Sequence, residues 1–141
     1  MEGNSMSLNI SLSEIWTNKS EHSTNTQWYR GMKEKLRIEI EQATNGQRTQ
    51  VNFEGIGLIT LPIYSMGRIT SIDLFGLDEL ILFSIYQKRK ERGTAIDLGA
   101  NIGLHSIILS KLGYEVLAVE PDPAHVKQIE TNLLTNDVQG V

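Results

Sequence analysis

Residues 95–106 read AIDLGANIGLHS, a short apolar run closed by an acid and followed by two glycines four residues apart. Such a loop, set between a strand and a helix, holds a nucleotide-like cofactor against the helix N-terminus. Gly99 allows a sharp backbone turn, and Gly103 removes a side chain where a cofactor or a neighbouring strand must come close. Glu120 closes the next apolar run, EVLAV, 21 residues after Gly99. An acid at that place can accept hydrogen bonds from both hydroxyls of a ribose.

The acid alone does not choose the cofactor, because dinucleotide-binding units use the same device. A dinucleotide fingerprint starting at Gly99 requires glycines at 101 and 104, where this chain has Asn101 and Leu104. An NAD-binding oxidoreductase unit is therefore the weaker alternative. Asp97 before the first glycine and Asn101 inside the turn suit a ligand with an amino-acid tail: the carboxylate meets an ammonium, and the amide serves either end of the tail. Each residue also has an ordinary structural reading. Asp97 could cap the next helix, Glu120 could be a solvated strand end, and Gly103 could serve helix–sheet packing. His105, in the first turn of the helix, is a candidate for steering substrate or moving a proton, against the commoner role of a packed or capping histidine.

The stretch IDLGANIGLHSIILSKLGYEVLAVEPDP resembles the cofactor half of class I S-adenosylmethionine-dependent methyltransferases, and in particular the FkbM type. That type carries D-x-G-A-N-x-G-x-x-S after its first strand and E-P-D/N-P after its second. The resemblance covers residues 94–136 closely and the upstream GLDELILFSIY more loosely. It implies a Rossmann-like parallel sheet of seven strands and S-adenosylmethionine as cofactor. Asp97, Gly99, Ala100, Asn101 and Gly103 would surround the methionine tail, and Glu120 would hold the ribose. Pro121 and Asp122, which shape the following turn, would stand beside the adenosine. The activity implied is methyl transfer to a hydroxyl oxygen of a sugar or natural product, with a small molecule or glycan as acceptor. In the family, the residues that bind adenine, place the acceptor and act as base come from later strands, and no equivalent is apparent upstream. The expected fold class is thus α/β: an incomplete class I methyltransferase sheet with a βαβα unit, preceded by a helix–hairpin–helix segment. The competing expectation is a non-catalytic half-domain that forms a homodimer or docks on a partner completing its sheet.

The elements that must position these residues follow from periodicity. Residues 1–27 are rich in Ser, Asn and Thr and predict a mobile or loosely docked arm, anchored at most by Ile15 and Trp16. In 28–43, Trp28, Met32, Leu36, Ile40 and Ala43 share a helical face, and Lys35–Glu39 and Arg37–Glu41 form i,i+4 pairs. Residues 51–64 predict two short strands around Glu54-Gly55, with Pro62 marking an edge, and 65–71 a connector. Residues 77–90 predict a helix apolar nearly all round, hence sandwiched, stopping at Gly93. From 94 the order becomes strand, helix, strand, helix, the last helix opened by Asp122-Pro123. DVQGV at 137–141 predicts the approach to a third strand. The expected divisions are 1–27, 28–93 and 94–141.

Charge narrows the partners. The chain of 141 residues has formal charge -4; residues 1–93 hold 11 acids and 11 bases, whereas 94–141 hold 6 acids and only Lys111 and Lys127 as bases. That balance argues against nucleic acid on the loop-bearing half, because phosphate backbones need a basic face. The basic run Lys88–Arg92 is read as complementing a helix C-terminus. There is no cysteine, and the three histidines lack ligand spacing with carboxylates, so no metal site is expected. The start lacks a signal-peptide pattern, and LILFSIY is too short to span a bilayer; the expectation is a cytoplasmic protein without a membrane partner.

Overall fold

A computed structural model describes residues 7–141 and shows a mixed α/β chain in two compact units, Met1–Lys88 and Arg89–Val141. The division lies before Gly93–Thr94, where the sequence places it, because 89–93 is tied to the second unit. The Arg92 guanidinium lies over the Tyr114 ring, 5.1 Å from its centroid, and its Nε donates to the Leu112 carbonyl at the end of a helix. The basic run therefore ends its helix at Lys88 and continues as a clasp. No helix among the described residues is long and apolar enough to cross a membrane.

In the first unit, β1 (Leu8–Ile10) runs parallel to β2 (Arg48–Phe53), which pairs antiparallel with β3 (Gly57–Pro62), in the order β1-β2-β3. Alternation sorts the hairpin's faces: Thr49, Val51, Phe53, Ile59 and Leu61 point into the core. Pro62 does end an edge strand, as its missing N–H requires. α3 (Leu77–Lys88) meets this sheet through Phe83 on Phe53, and α1 (Leu12–Thr17) and α2 (Gln27–Gln42) pack on α3. Phe53 is the hub, 6.3 Å from the Phe75 ring and edge-on to Phe83 at 5.9 Å. Tyr29 on α2 donates its hydroxyl to Asp78 on α3, which raises the phenol pKa by that bond first and by burial and the carboxylate charge next. The pairs Lys35–Glu39 and Arg37–Glu41 both form.

Three expectations for this unit need correction. The segment expected as a mobile arm supplies, from residue 7 on, the strand β1 and the helix α1, with Ile10, Leu12 and Ile15 buried; its first six residues lie outside the described residues. Its Ser/Asn/Thr content serves caps and turns: Ser11 accepts from the Glu14 N–H, and Thr26 caps α2. The connector at 65–71 contains a small hairpin, β4 (Ser65–Met66) with β5 (Ile69–Thr70). α3 is not sandwiched, because Leu77, Leu80 and Phe83 are buried while Leu82 and Ile85 are exposed.

In the second unit, β6 (Thr94–Leu98) and β7 (Glu115–Val119) form a two-stranded parallel sheet, joined by α4 (Leu104–Lys111) and followed by α5 (Pro123–Thr135). α4 buries Leu104, Ile107, Ile108 and Leu109, and with them Ser106. Asp122 caps α5 through the Ala124 N–H, with Pro123 in its first turn, as the sequence requires. Residues 137–141 form no strand in the structure, so the expected approach to a third strand is absent. One face of the β6–β7 pair is bare: Ile96 and Leu98 are 61% and 75% exposed, and opposite them Leu117 and Val119 are 56% and 44% exposed.

Phe53→Ala is expected to destabilise the first unit by about 3–5 kcal/mol, because it removes the ring that Phe75 and Phe83 pack on. Chemical denaturation followed by far-UV circular dichroism measures this.

Candidate functional site

The carboxyl ends of β6 and β7 lie side by side, with Asp97↔Ala118 and Leu98↔Val119 in register. In parallel α/β sheets this is where ligands bind. Two loops leave from here, 99–103 into α4 and 120–122 into α5. The first bends back over β7: the Gly99 and Ala100 N–H groups both donate to the Val119 carbonyl, at 2.8 and 3.1 Å. Gly99, Asn101 and Gly103 all have positive φ (72°, 56° and 91°), so the loop is a chain of left-handed turns. Glycine takes that conformation freely, and asparagine is among the few other residues that tolerate it.

The two loops are joined by one side chain. Glu120 Oε2 accepts from the Asn101 N–H at 2.8 Å and Oε1 from the Asp122 N–H at 2.9 Å. Its side chain is only 8% exposed, so it is not a solvated strand end. The carboxyl is held below its ordinary value of 4.5, chiefly by the Asp122 N–H, with the Asn101 N–H and the His125 imidazole adding and desolvation opposing. His125, in the first turn of α5, sets Nδ1 3.8 Å from Glu120 Oε1 and Nε2 3.9 Å from Asp122 Oδ2.

Asp97 does not cap the next helix. The N-cap of α4 is Gly103, without a side-chain bond, and Asp97 Oδ2 instead accepts from the Ser106 hydroxyl at 2.7 Å. Asn101 Oδ1 is buried and has no hydrogen-bond partner among the described residues, a costly state for an amide oxygen. A Cβ on Gly99 would meet nothing within 4 Å, so the loop is open there. Gly103 is crowded: a Cβ would stand 3.2 Å from Ile129 Cγ2 of α5. Its packing role is thus the one the structure displays. Ala100 is buried, His105 half-buried, and Pro121 and Asp122 are exposed at the rim.

The structure brings Asn101, Glu120 and Asp122 into one hydrogen-bonded group, with Asp97 at the end of β6. It also places residues that the spacing does not reveal. Asn132 of α5, fully buried, donates to the Ile102 carbonyl at 2.8 Å and braces the loop from behind. An asparagine on the stripe between Ile129 and Leu133 is the sequence signal for it. Among the described residues no group of three or more His, Asp, Glu or Cys could hold a metal ion.

A cleft of about 380 Å³ in the first unit, lined by Lys33, Arg37, Asp73 and Asp78, offers less chemistry. Arg37 is already paired with Glu34 and Glu41, and Asp78 with Tyr29. Comparison with known proteins finds no match for this chain, whether among family models, curated proteins or solved structures.

Gly99→Ala and Gly103→Ala should differ in cost. Both force alanine to a positive φ, roughly 1–2 kcal/mol, but only Gly103→Ala also presses a methyl on Ile129. Equilibrium denaturation should rank Gly103→Ala as the less stable.

The Glu120 tie also sets a pH dependence. A lowered carboxyl pKa means that between the folded and unfolded values the unfolded chain binds more protons, so stability rises with pH there. The contribution is complete above the unfolded value and lost as the pH falls through the folded one. Denaturation profiles from pH 7 to pH 3 should therefore fall less steeply for Glu120→Gln than for the unaltered chain.

Proposed function

We propose that residues 94–141 form the cofactor-holding half of an S-adenosylmethionine-dependent methyltransferase of the FkbM type, with a class I, Rossmann-like sheet. The observation that carries this reading is the Asn101 amide oxygen, buried and without a partner, in a loop whose glycine side is open at Gly99. A donor such as the ammonium of an amino-acid tail would relieve that oxygen.

The donor set fits the group. Asp97 keeps one carboxylate oxygen after accepting from Ser106, and the tail's ammonium would lie between it and Asn101. Glu120 spends one lone pair per oxygen on backbone amides and retains acceptor capacity for ribose hydroxyls. Pro121 and Asp122 would flank the adenosine. A pyrophosphate fits less well, because the amides of Gly99, Ala100 and Asn101 are committed to Val119 and Glu120. When bound, the cofactor supplies a methyl group already activated by its sulfonium. The chain's own part is then to hold and orient, which for a transfer of this kind is a large share of the rate. The acceptor is a hydroxyl of a small molecule or glycan, and the reaction takes place in the cytoplasm.

The bare face of Ile96, Leu98, Leu117 and Val119 favours a second reading, in which this half-domain is covered by a second copy of the chain and acts as an interaction module. A mass that rises with concentration in sedimentation would support it.

Calorimetric titration with S-adenosylhomocysteine tests the main reading without needing an acceptor. Saturable binding is expected, with none for NAD, and Asp97→Asn should weaken it about tenfold by removing the charge opposite the ammonium. A folded chain that binds NAD, or binds neither, rejects the reading.

A further inference from the structure

Four described hydroxyl side chains on helices make the local bond expected of them. Thr17, Thr131 and Thr135 donate to the carbonyl four residues back, and Ser84 to the carbonyl three residues back. Ser106 does not. It is the third residue of α4, fully buried among Leu104, Ile107, Ile108 and Leu109, and its hydroxyl crosses to Asp97 Oδ2 on β6 at 2.7 Å. A hydroxyl buried in an apolar face must find a partner, and with the Ile102 carbonyl four residues back already accepting from Asn132, Ser106 finds it in an acid on another element. What the cross-element bond adds is control of the carboxylate: one oxygen is pinned, so the plane of the group and the direction of the other oxygen are set.

We infer that Ser106 is a positioning residue for ligand recognition, fixing the Asp97 carboxylate so that its second oxygen meets the ammonium of an amino-acid tail. The inference rests on the proposed cofactor reading and adds to it how that site is tuned. Ser106 touches no ligand. Its effect passes through Asp97 and is confined to the tail. Without the hydroxyl, Asp97 must be ordered when the ligand arrives, which for one side chain weakens affinity about three- to tenfold.

The test compares two ligands, S-adenosylhomocysteine and adenosine, which lacks the tail. Ser106→Ala should weaken S-adenosylhomocysteine by that factor and leave adenosine within about twofold. Ser106→Cys, which fills the site left by the hydroxyl but is a weaker donor, should give the same selective loss and serves if the alanine variant does not fold. In an Asp97→Asn background the effect of Ser106→Ala on S-adenosylhomocysteine should shrink, because the group through which it acts has been altered. Equal weakening of both ligands would mean that Ser106 merely supports the fold, and overturns the positioning role. Unchanged affinity for both overturns it as well. If the unaltered chain binds neither ligand, the cofactor reading itself falls, a result distinct from either of these.

Discussion

The two loops of the candidate site hang on a single carboxylate. Glu120 takes the N–H of Asn101 with one oxygen and the N–H of Asp122 with the other. Both amides lie in loops beyond the strand ladder, and unpaired they would be costly under a partly buried loop. A charged acceptor at the end of β7 satisfies one amide from each loop, which makes the separation of the loops a property of one side chain. The His125 ring beside Glu120 and Asp122 adds positive charge when protonated and so reinforces the same arrangement. Under the proposed cofactor reading, the acid that would accept from ribose hydroxyls is also the one that ties the two loops together.

The loop is also held from behind. Gly103 lets α5 approach until Ile129 fills the space of a missing side chain, and Asn132, one turn along, binds the Ile102 carbonyl. Asn132 is itself satisfied, since Gln128 donates to its oxygen and Asn136 to its carbonyl. A connected buried polar network of this kind fixes one geometry, because each member would lose its partner in any other. Against that background the lone Asn101 oxygen stands out. The same segment that pairs its neighbours so thoroughly leaves one acceptor buried and unmet.

What the sequence made legible was what local chemistry decides. Asp122-Pro123 announced α5 because a cap and a fixed φ act within a few residues, and the pairs on α2 formed because helical spacing alone brings them together. The first 27 residues misled because their polar composition hides three apolar positions. Ile10, Leu12 and Ile15 are buried only once β1 lies parallel to β2, some forty residues away. α3 misled in the opposite sense: its composition asks for cover on every side, and the structure covers one. For the site, the residue types at Asp97, Asn101 and Glu120 pointed to ligand chemistry. That Ser106 answers Asp97, or that Glu120 binds the Asn101 amide, depends on how the turns bring α4 and β7 back to β6.

A two-stranded parallel pair is too small to stand by its own hydrogen bonds. The second unit therefore draws its stability from one side, where α4 packs its apolar residues, α5 adds Ile129 and the segment after α5 adds Val138. The four exposed apolar side chains on the other side contribute nothing until they are covered. Both loops belong to the supported side: Asp97 is held by α4, Gly103 and Ile102 by α5. The geometry of the site is thus set by contacts independent of whatever covers Ile96, Leu98, Leu117 and Val119. Covering that face would stabilise the sheet, while the spacing of Asp97, Asn101 and Glu120 is already determined by Glu120's own bonds and by the helices behind them.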